Sequence, residues 1–331
     1  MGFNMSHFFV LVIGPNVDAQ LQPYHEYECT DIRDEYVVDV DVTDKALEEF
    51  NKRKAVVRLS DGTVKSRWDE MFYTIAPKYR LGNKQFGLPT GAVELEMSAD
   101  EARQHGIGYA SLEAVAADFF GGFIRDGRCY HTTNPNKKWD WWVIGGRWTG
   151  TLLLKSKALG VVGRPGLMTE PAAPGYADQA KAGDIDWQQM RNDKEVKARK
   201  LWRMTREITG GLSWESWDDT KLRYPEIETA RREYGDQPAL VALKASGNSE
   251  YSWNIDDNLA LDEDTYIQRE RDSACSFYAF VRDSVWTERG RIGWFGVSFD
   301  EVSRVQWDSM FNQMLDSLDP DTLVTVVDCH I

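Results

Sequence analysis

The chain is poor in long apolar runs, cysteine, histidine and positive charge, and each shortage excludes something. The apolar run nearest the start, Phe8 to Ile13, is six residues long, too short for a membrane span or the core of a secretory signal. Four cysteines, Cys29, Cys129, Cys275 and Cys329, are widely scattered with no CxxC pair, so neither a disulfide framework nor a zinc knuckle is expected. With no secretory signal read ahead of them, a reducing, cytoplasmic compartment is the expected location. Lys and Arg total 39 against 53 Asp and Glu, a formal net charge of -14, and the pI is about 4.9. That balance disfavours generic binding to nucleic acid or anionic lipid, because phosphate affinity comes mainly from Lys and Arg displacing counterions. Walker A, GxGxxG, HExxH and GxSxG patterns are absent, which removes the commonest signatures of nucleotide, metal-protease and serine-hydrolase chemistry.

What is present points to a globular chain. Its 331 residues are 42% hydrophobic with a mean hydropathy of -0.50, neither membrane-like nor disordered. Phe8 to Ile13, closed by Gly14-Pro15, has the length and β-branched content of an interior strand, and Leu323 to Val327 is its counterpart at the other terminus. Two such strands are stable only inside a covered sheet. The expected fold class is therefore α/β or α+β, with a mixed sheet holding both terminal strands and helices packed on it. Helices are predicted from Thr43 to about Lys54, after the capping box Ser98-Ala-Asp-Glu101, and from Ser111 to Phe120 before Gly121-Gly122. Another is predicted around Val302, Val305, Met310, Phe311, Met314, Leu315 and Leu318, ending before Pro320. Gly160 to Gly183 holds three prolines and little periodicity, and helical spacing returns from Asp186 to Ile208. Residues 1–155 and 236–331 are thus expected to form one discontinuous core domain, with 156–235 a loop and helical insertion.

Charge is unevenly distributed. Residues 24–50 hold ten acids and two bases, whereas 121–160 hold seven bases and two acids. Within that basic island runs Lys137-Lys138-Trp139-Asp140-Trp141-Trp142-Val143-Ile144-Gly145-Gly146-Arg147-Trp148. Gly145 and Gly146 would let the backbone approach a ligand closely, Lys138 and Arg147 would neutralise phosphate, and Trp139, Trp142 and Trp148 would stack a base. These seven residues form the candidate ligand site. Indoles also fill cores, and an Arg beside acids also forms ion pairs. A second candidate set is acid–base: His25, His131, Asp328 and His330, each beside a predicted strand end, with His7 in a similar position. Three His/Cys pairs (His25 with Cys29, Cys129 with His131, Cys329 with His330) invite a zinc reading. Neighbours such as Cys329 and His330 point to opposite faces of a strand, so no metal is assigned. The acidic stretches Glu26 to Glu49 and Asp256 to Asp264 offer a third possibility, a carboxylate surface for a basic partner.

Four segments in order, Ser6-His7-Phe8-Phe9-Val10-Leu11-Val12-Ile13-Gly14, Tyr24-His25-Glu26-Tyr27-Glu28-Cys29-Thr30, Trp139 to Trp148, and Thr322 to Ile331, resemble those of a family of uncharacterised proteins found in bacteriophages and prophages. The resemblance implies an accessory role in the host-cell cytoplasm during infection, possible counter-defence included, and carries over no reaction and no site residue. The expected function is binding of a nucleotide or other phosphorylated ligand at the Trp-rich site. The alternatives are an acidic, DNA-mimic-like inhibitor of a host protein and a His/Asp-dependent hydrolase. No cofactor, no membrane and no generic nucleic acid is expected among the partners.

Overall fold

A computed structural model describes residues 7–75, 84–247, 255–292, 298–299 and 301–331. The chain divides into two compact units, one of residues 1–23 with 138–331 and the other of residues 24–137. The division expected from sequence falls elsewhere. Residues 24–137 carry their own sheets and their own core, built on Val42, Ala46, Val115, Ala116 and Cys129. Residues 156–235, expected to stand apart, instead contribute strands to the main sheet.

That sheet has seven strands: β1 (His7–Ile13), β2 (Trp141–Gly146), β3 (Arg164–Pro165), β4 (Gln179–Lys181), β5 (Ala279–Arg282), β6 (Val285–Glu288) and β7 (Leu323–His330). Their order is β3-β2-β7-β1-β5-β6, with β4 pairing β7 as well. Strands β1 and β5 run parallel while β1 and β7 run antiparallel, so the sheet is mixed and the class is α+β. Both terminal strands lie at its centre, as their near-continuous apolar sequences require.

One face packs on helix α3 (Arg304–Asp316) and on the flank of helix α1 (Trp187–Thr209). Leu11, Ile13, Val324 and Val326 meet Trp307, Phe311 and Leu315 there, and the Trp307 indole N–H donates to the Phe277 carbonyl at 2.8 Å. Helix α3 buries a narrower stripe than its sequence predicts: Val302 lies before the helix, and Val305 and Met310 are exposed on it. The i, i+4, i+8 row of Trp307, Phe311 and Leu315 covers the sheet. Helix α1 starts as read, with the Asp186 carboxylate accepting from the Gln189 N–H, and stops at Gly210 with φ +52°. No helix among the described residues is long and apolar enough to cross a membrane.

In the smaller unit, Lys54–Arg58 is the central strand of a three-stranded antiparallel sheet with Val64–Ser66 and Val93–Met97. The predicted helix from Thr43 therefore ends at Asn51, three residues early. A second sheet joins Val38–Asp41, Arg128–Thr133 and Phe123–Arg125. The Ser98 capping box forms as expected, and Ser111 caps the next helix, whose second half widens into a π turn at Val115–Phe119.

Phe311 is fully buried among Phe277, Phe280 and Trp307. Phe311→Ala is expected to cost about 3–5 kcal/mol in urea unfolding. Val305→Ala on the same helix should stay within about 0.5 kcal/mol.

Candidate functional site

The sheet register brings three rings together. His7 opens β1, His330 closes β7 and Trp141 opens β2; His7 lies opposite His330, and His330 opposite Trp141. Directly opposed residues share a face. The His7 and His330 ring centroids are 5.0 Å apart, and Trp141 lies 5.2 Å from each, stacked on His330.

Each imidazole is held by a carboxylate at the same nitrogen. His7 Nδ1 is 2.8 Å from Asp328 Oδ1, and His330 Nδ1 is 2.8 and 2.9 Å from the two oxygens of Asp140. A carboxylate at Nδ1 fixes the proton there, orients the ring and leaves Nε2 as the working nitrogen. His7 Nε2 is buried and has no hydrogen-bond partner among the described residues. The His330 side chain keeps 16% of its surface open.

Asp328 also organises the segment read as a ligand loop. Its second oxygen accepts the Arg147 N–H at 2.9 Å, so one buried carboxylate ties a histidine ring and the Arg147 backbone together. Strand β2 must curl to bring that amide in. Gly145 and Gly146 have φ +83° and +57°, a region that suits glycine, and a Cβ at Gly146 would overlap the Asp328 carboxylate. A Cβ at Gly145 would lie 2.7 Å from Asp178 Oδ2. Asp178, fully buried, accepts from Thr149 Oγ1–H, the Gly150 N–H and the Gly163 N–H at 2.8, 2.6 and 2.7 Å. Two buried carboxylates thus hold the turn from Gly145 to Gly150, and the Arg147 side chain stands exposed at it.

The other proposed ligand contacts have different fates. Trp139 is a core residue, 6% exposed, whose indole N–H donates to the Leu21 carbonyl. Trp148 stacks on Phe9 at 4.8 Å against the main core. Lys138 is paired with Glu288 at 2.6 Å, which neutralises it. Trp142 is half-buried on the face opposite Trp141. Trp141, which the sequence reading left out, is the indole beside the histidines and is 41% exposed.

The four expected acid–base residues are divided between the two units: Asp328 and His330 in one, His25 and His131 in the other. His25 is sealed at 0% exposure, its ring between Thr30 Oγ1 at 2.8 Å and Asp34 at 3.2 Å, a satisfied structural histidine. His131 Nε2 lies 2.9 Å from Glu28 Oε1. Burial works against ionisation of Glu28, but hydrogen bonds from Lys137, Thr133, its own backbone and His131 overcome it and bring the carboxyl down to about 2. His7 and Asp140 complete the ring cluster. The signal for His7 was the antiparallel pairing of the two terminal strands, which places residue 7 against residue 330.

The acidic stretches are largely engaged within the chain. Asp39 takes Thr132, Arg33 and Arg125, and Glu49 takes Lys52 and Lys54. Asp257 pairs with Arg269 and Arg304, and Glu263 with Arg199 and Arg203. Among the described residues no three His, Cys, Asp or Glu are placed to share a metal ion.

Gly146→Ala is expected to destabilise the protein by at least about 2 kcal/mol in urea unfolding, from steric overlap plus left-handed backbone strain. Gly175→Ala, at φ +86° but with nothing within 4 Å, isolates the strain alone and should cost less. Glu28 gives a pH prediction. A carboxylate with a folded pKa near 2 against 4.5 unfolded contributes stability that is fully present above 4.5 and lost as pH falls toward 2. In thermal melts across that window, Glu28→Gln should be less stable than the parent at pH 6 and converge with it near pH 2.

No family model matches the chain, and neither a curated protein nor a solved structure matches it.

Proposed function

We propose that the protein is an acid–base hydrolase of a phosphorylated small molecule, with His330 and His7 as the proton-transfer pair and Arg147 as the phosphate ligand. The observation that carries this is the double dyad: two imidazoles 5.0 Å apart, each with Nδ1 fixed on its own carboxylate. One imidazole takes a proton from water as it attacks phosphorus. The other, as imidazolium, gives a proton to the departing oxygen, and the Nδ1 carboxylates hold each ring in place. Arg147 is tied through its backbone to the same Asp328 that holds His7, while its guanidinium has no ion pair or hydrogen bond among the described residues. A planar, permanently charged fork of that kind suits phosphate. The exposed part of Trp141 supports a nucleotide as the ligand class, since base–indole stacking contributes about 1–3 kcal/mol. The resemblance to phage-encoded proteins gives this chemistry a setting, removal of a phosphorylated host metabolite or signal as an accessory, counter-defence activity.

The test is a hydrolysis screen over nucleoside phosphates, cyclic nucleotides and an aryl phosphodiester. His330→Ala should lower kcat by about 10²–10⁴-fold with little change in the thermal midpoint, and Arg147→Ala should act mainly on KM. Absence of turnover across the panel, or full activity in His330→Ala, overturns the assignment.

A further inference from the structure

The turn after β3 carries a second feature, independent of the histidine pair. From Lys155 to Thr169 the chain holds three bases, Lys155, Lys157 and Arg164, and no acid, in a protein of net charge -14. Five large apolar residues on this stretch are exposed: Leu159, Val161, Val162, Leu167 and Met168, the last two at 104% and 99%. These two occupy the corners of a closed β-turn, in which the Thr169 N–H donates to the Gly166 carbonyl at 3.2 Å. Turn corners ordinarily hold Gly, Pro, Asn, Asp or Ser. The turn is anchored as well: the Gly166 N–H donates to the Gly146 carbonyl at 2.9 Å, and the Gly163 N–H to Asp178 at 2.7 Å. The fold therefore fixes two large apolar side chains in water, and the same stretch of chain carries the exposed bases Lys157 and Arg164.

We infer that this turn docks on an anionic lipid surface, with Leu167 and Met168 inserted among the acyl chains and Lys157 and Arg164 at the headgroup phosphates. The shape decides between occupants. Side chains with no protein neighbour form a convex tip, and a protein partner would have to supply the whole concavity, whereas a bilayer admits a tip directly. Charge complementarity acts in the same sense, because bases near an anionic leaflet are attracted over a Debye length of about 8 Å. The nearest acid along the chain, Glu170, follows the apolar pair.

Co-sedimentation of the full chain with phosphatidylcholine vesicles containing about 30% phosphatidylserine, and with phosphatidylcholine alone, tests this. Binding is expected to the anionic vesicles only and to weaken with salt. The Leu167→Glu/Met168→Glu and Lys157→Glu/Arg164→Glu double variants should each bind at least about tenfold more weakly. Their thermal midpoints should be unchanged, since the substituted side chains are exposed. Absence of binding, or binding unaltered in the Leu167→Glu/Met168→Glu variant, overturns the inference. So does a concentration-dependent dimer in sedimentation velocity that this variant abolishes while vesicles bind neither form, since the turn would then be a contact between copies. Nucleotide hydrolysis is not read in this experiment, so its outcome is separate from that of the acid–base assignment.

Discussion

The main sheet depends on how one buried carboxylate is satisfied. Residues Val324 to Cys329 of β7 are all buried, and Asp328 sits among them at 1% exposure. Taking a carboxylate out of water costs several kcal/mol unless its oxygens are filled. One oxygen takes the His7 ring and the other the Arg147 N–H. The second of these donors is the backbone amide just past the end of β2, and it reaches Asp328 only if β2 parts from β7 after Ile144 while still pairing β3. From that requirement follow the two left-handed glycines, the turn at Arg147, and the vacated edge of β7 that β4 then takes up. Asp178, just before β4, fastens the far side of the same turn. The polar interior of this sheet is thus a set of connected constraints, each of which fixes the next.

Much of the fold was legible because its signals are local. An unbroken apolar strand at each terminus implies a covered central pair, and β1 and β7 form one. Ser98 and Ser111 act as caps because cap chemistry is decided within four residues. The domain boundaries were less legible for the opposite reason. The stretch around Gly160 to Gly183 reads as a loop since β3 and β4 are two and three residues long, too short to show a period. Their stability comes from long-range pairing that the local sequence does not encode. In α3, Val305 and Met310 fit a helical face by spacing, but which stripe is buried depends on the sheet beneath it.

The site was half legible on the same terms. Asp328, His330, Gly145, Gly146 and Arg147 were singled out by residue type, and the sheet joins the first to His7 and to the Arg147 turn. The indoles were misassigned because tryptophan in a core and tryptophan in a site have the same composition signal. Trp139 and Trp148 end in packed interior, and Trp141 alone of its run lies beside the histidines. His25 illustrates the same limit, since a histidine held by Thr30 and Asp34 looks in sequence like a histidine awaiting substrate. Net charge misleads too. The acids of residues 26–49 and 256–264 are spent largely on internal ion pairs and caps, so the figure of -14 says little about the surface any partner meets.

The two dyads differ in a way that separates chemistry from folding. Asp328 has a side chain 2% exposed and a second obligation to the Arg147 turn. Removing its charge leaves both His7 and a buried amide without an acceptor, so any loss of activity is mixed with a loss of structure. Asp140 is 18% exposed, and its side chain serves His330 with both oxygens. Its removal lets water replace it and relaxes only the orientation and tautomer of one ring. A site that shares its buried carboxylate with the fold is rigid at that side, and the adjustable half is the one at the edge. On the proposed acid–base reading, proton exchange with solvent is assigned to His330, the imidazole with an open surface, and His7, whose buried Nε2 has no partner among the described residues, is assigned to what His330 and Trp141 admit.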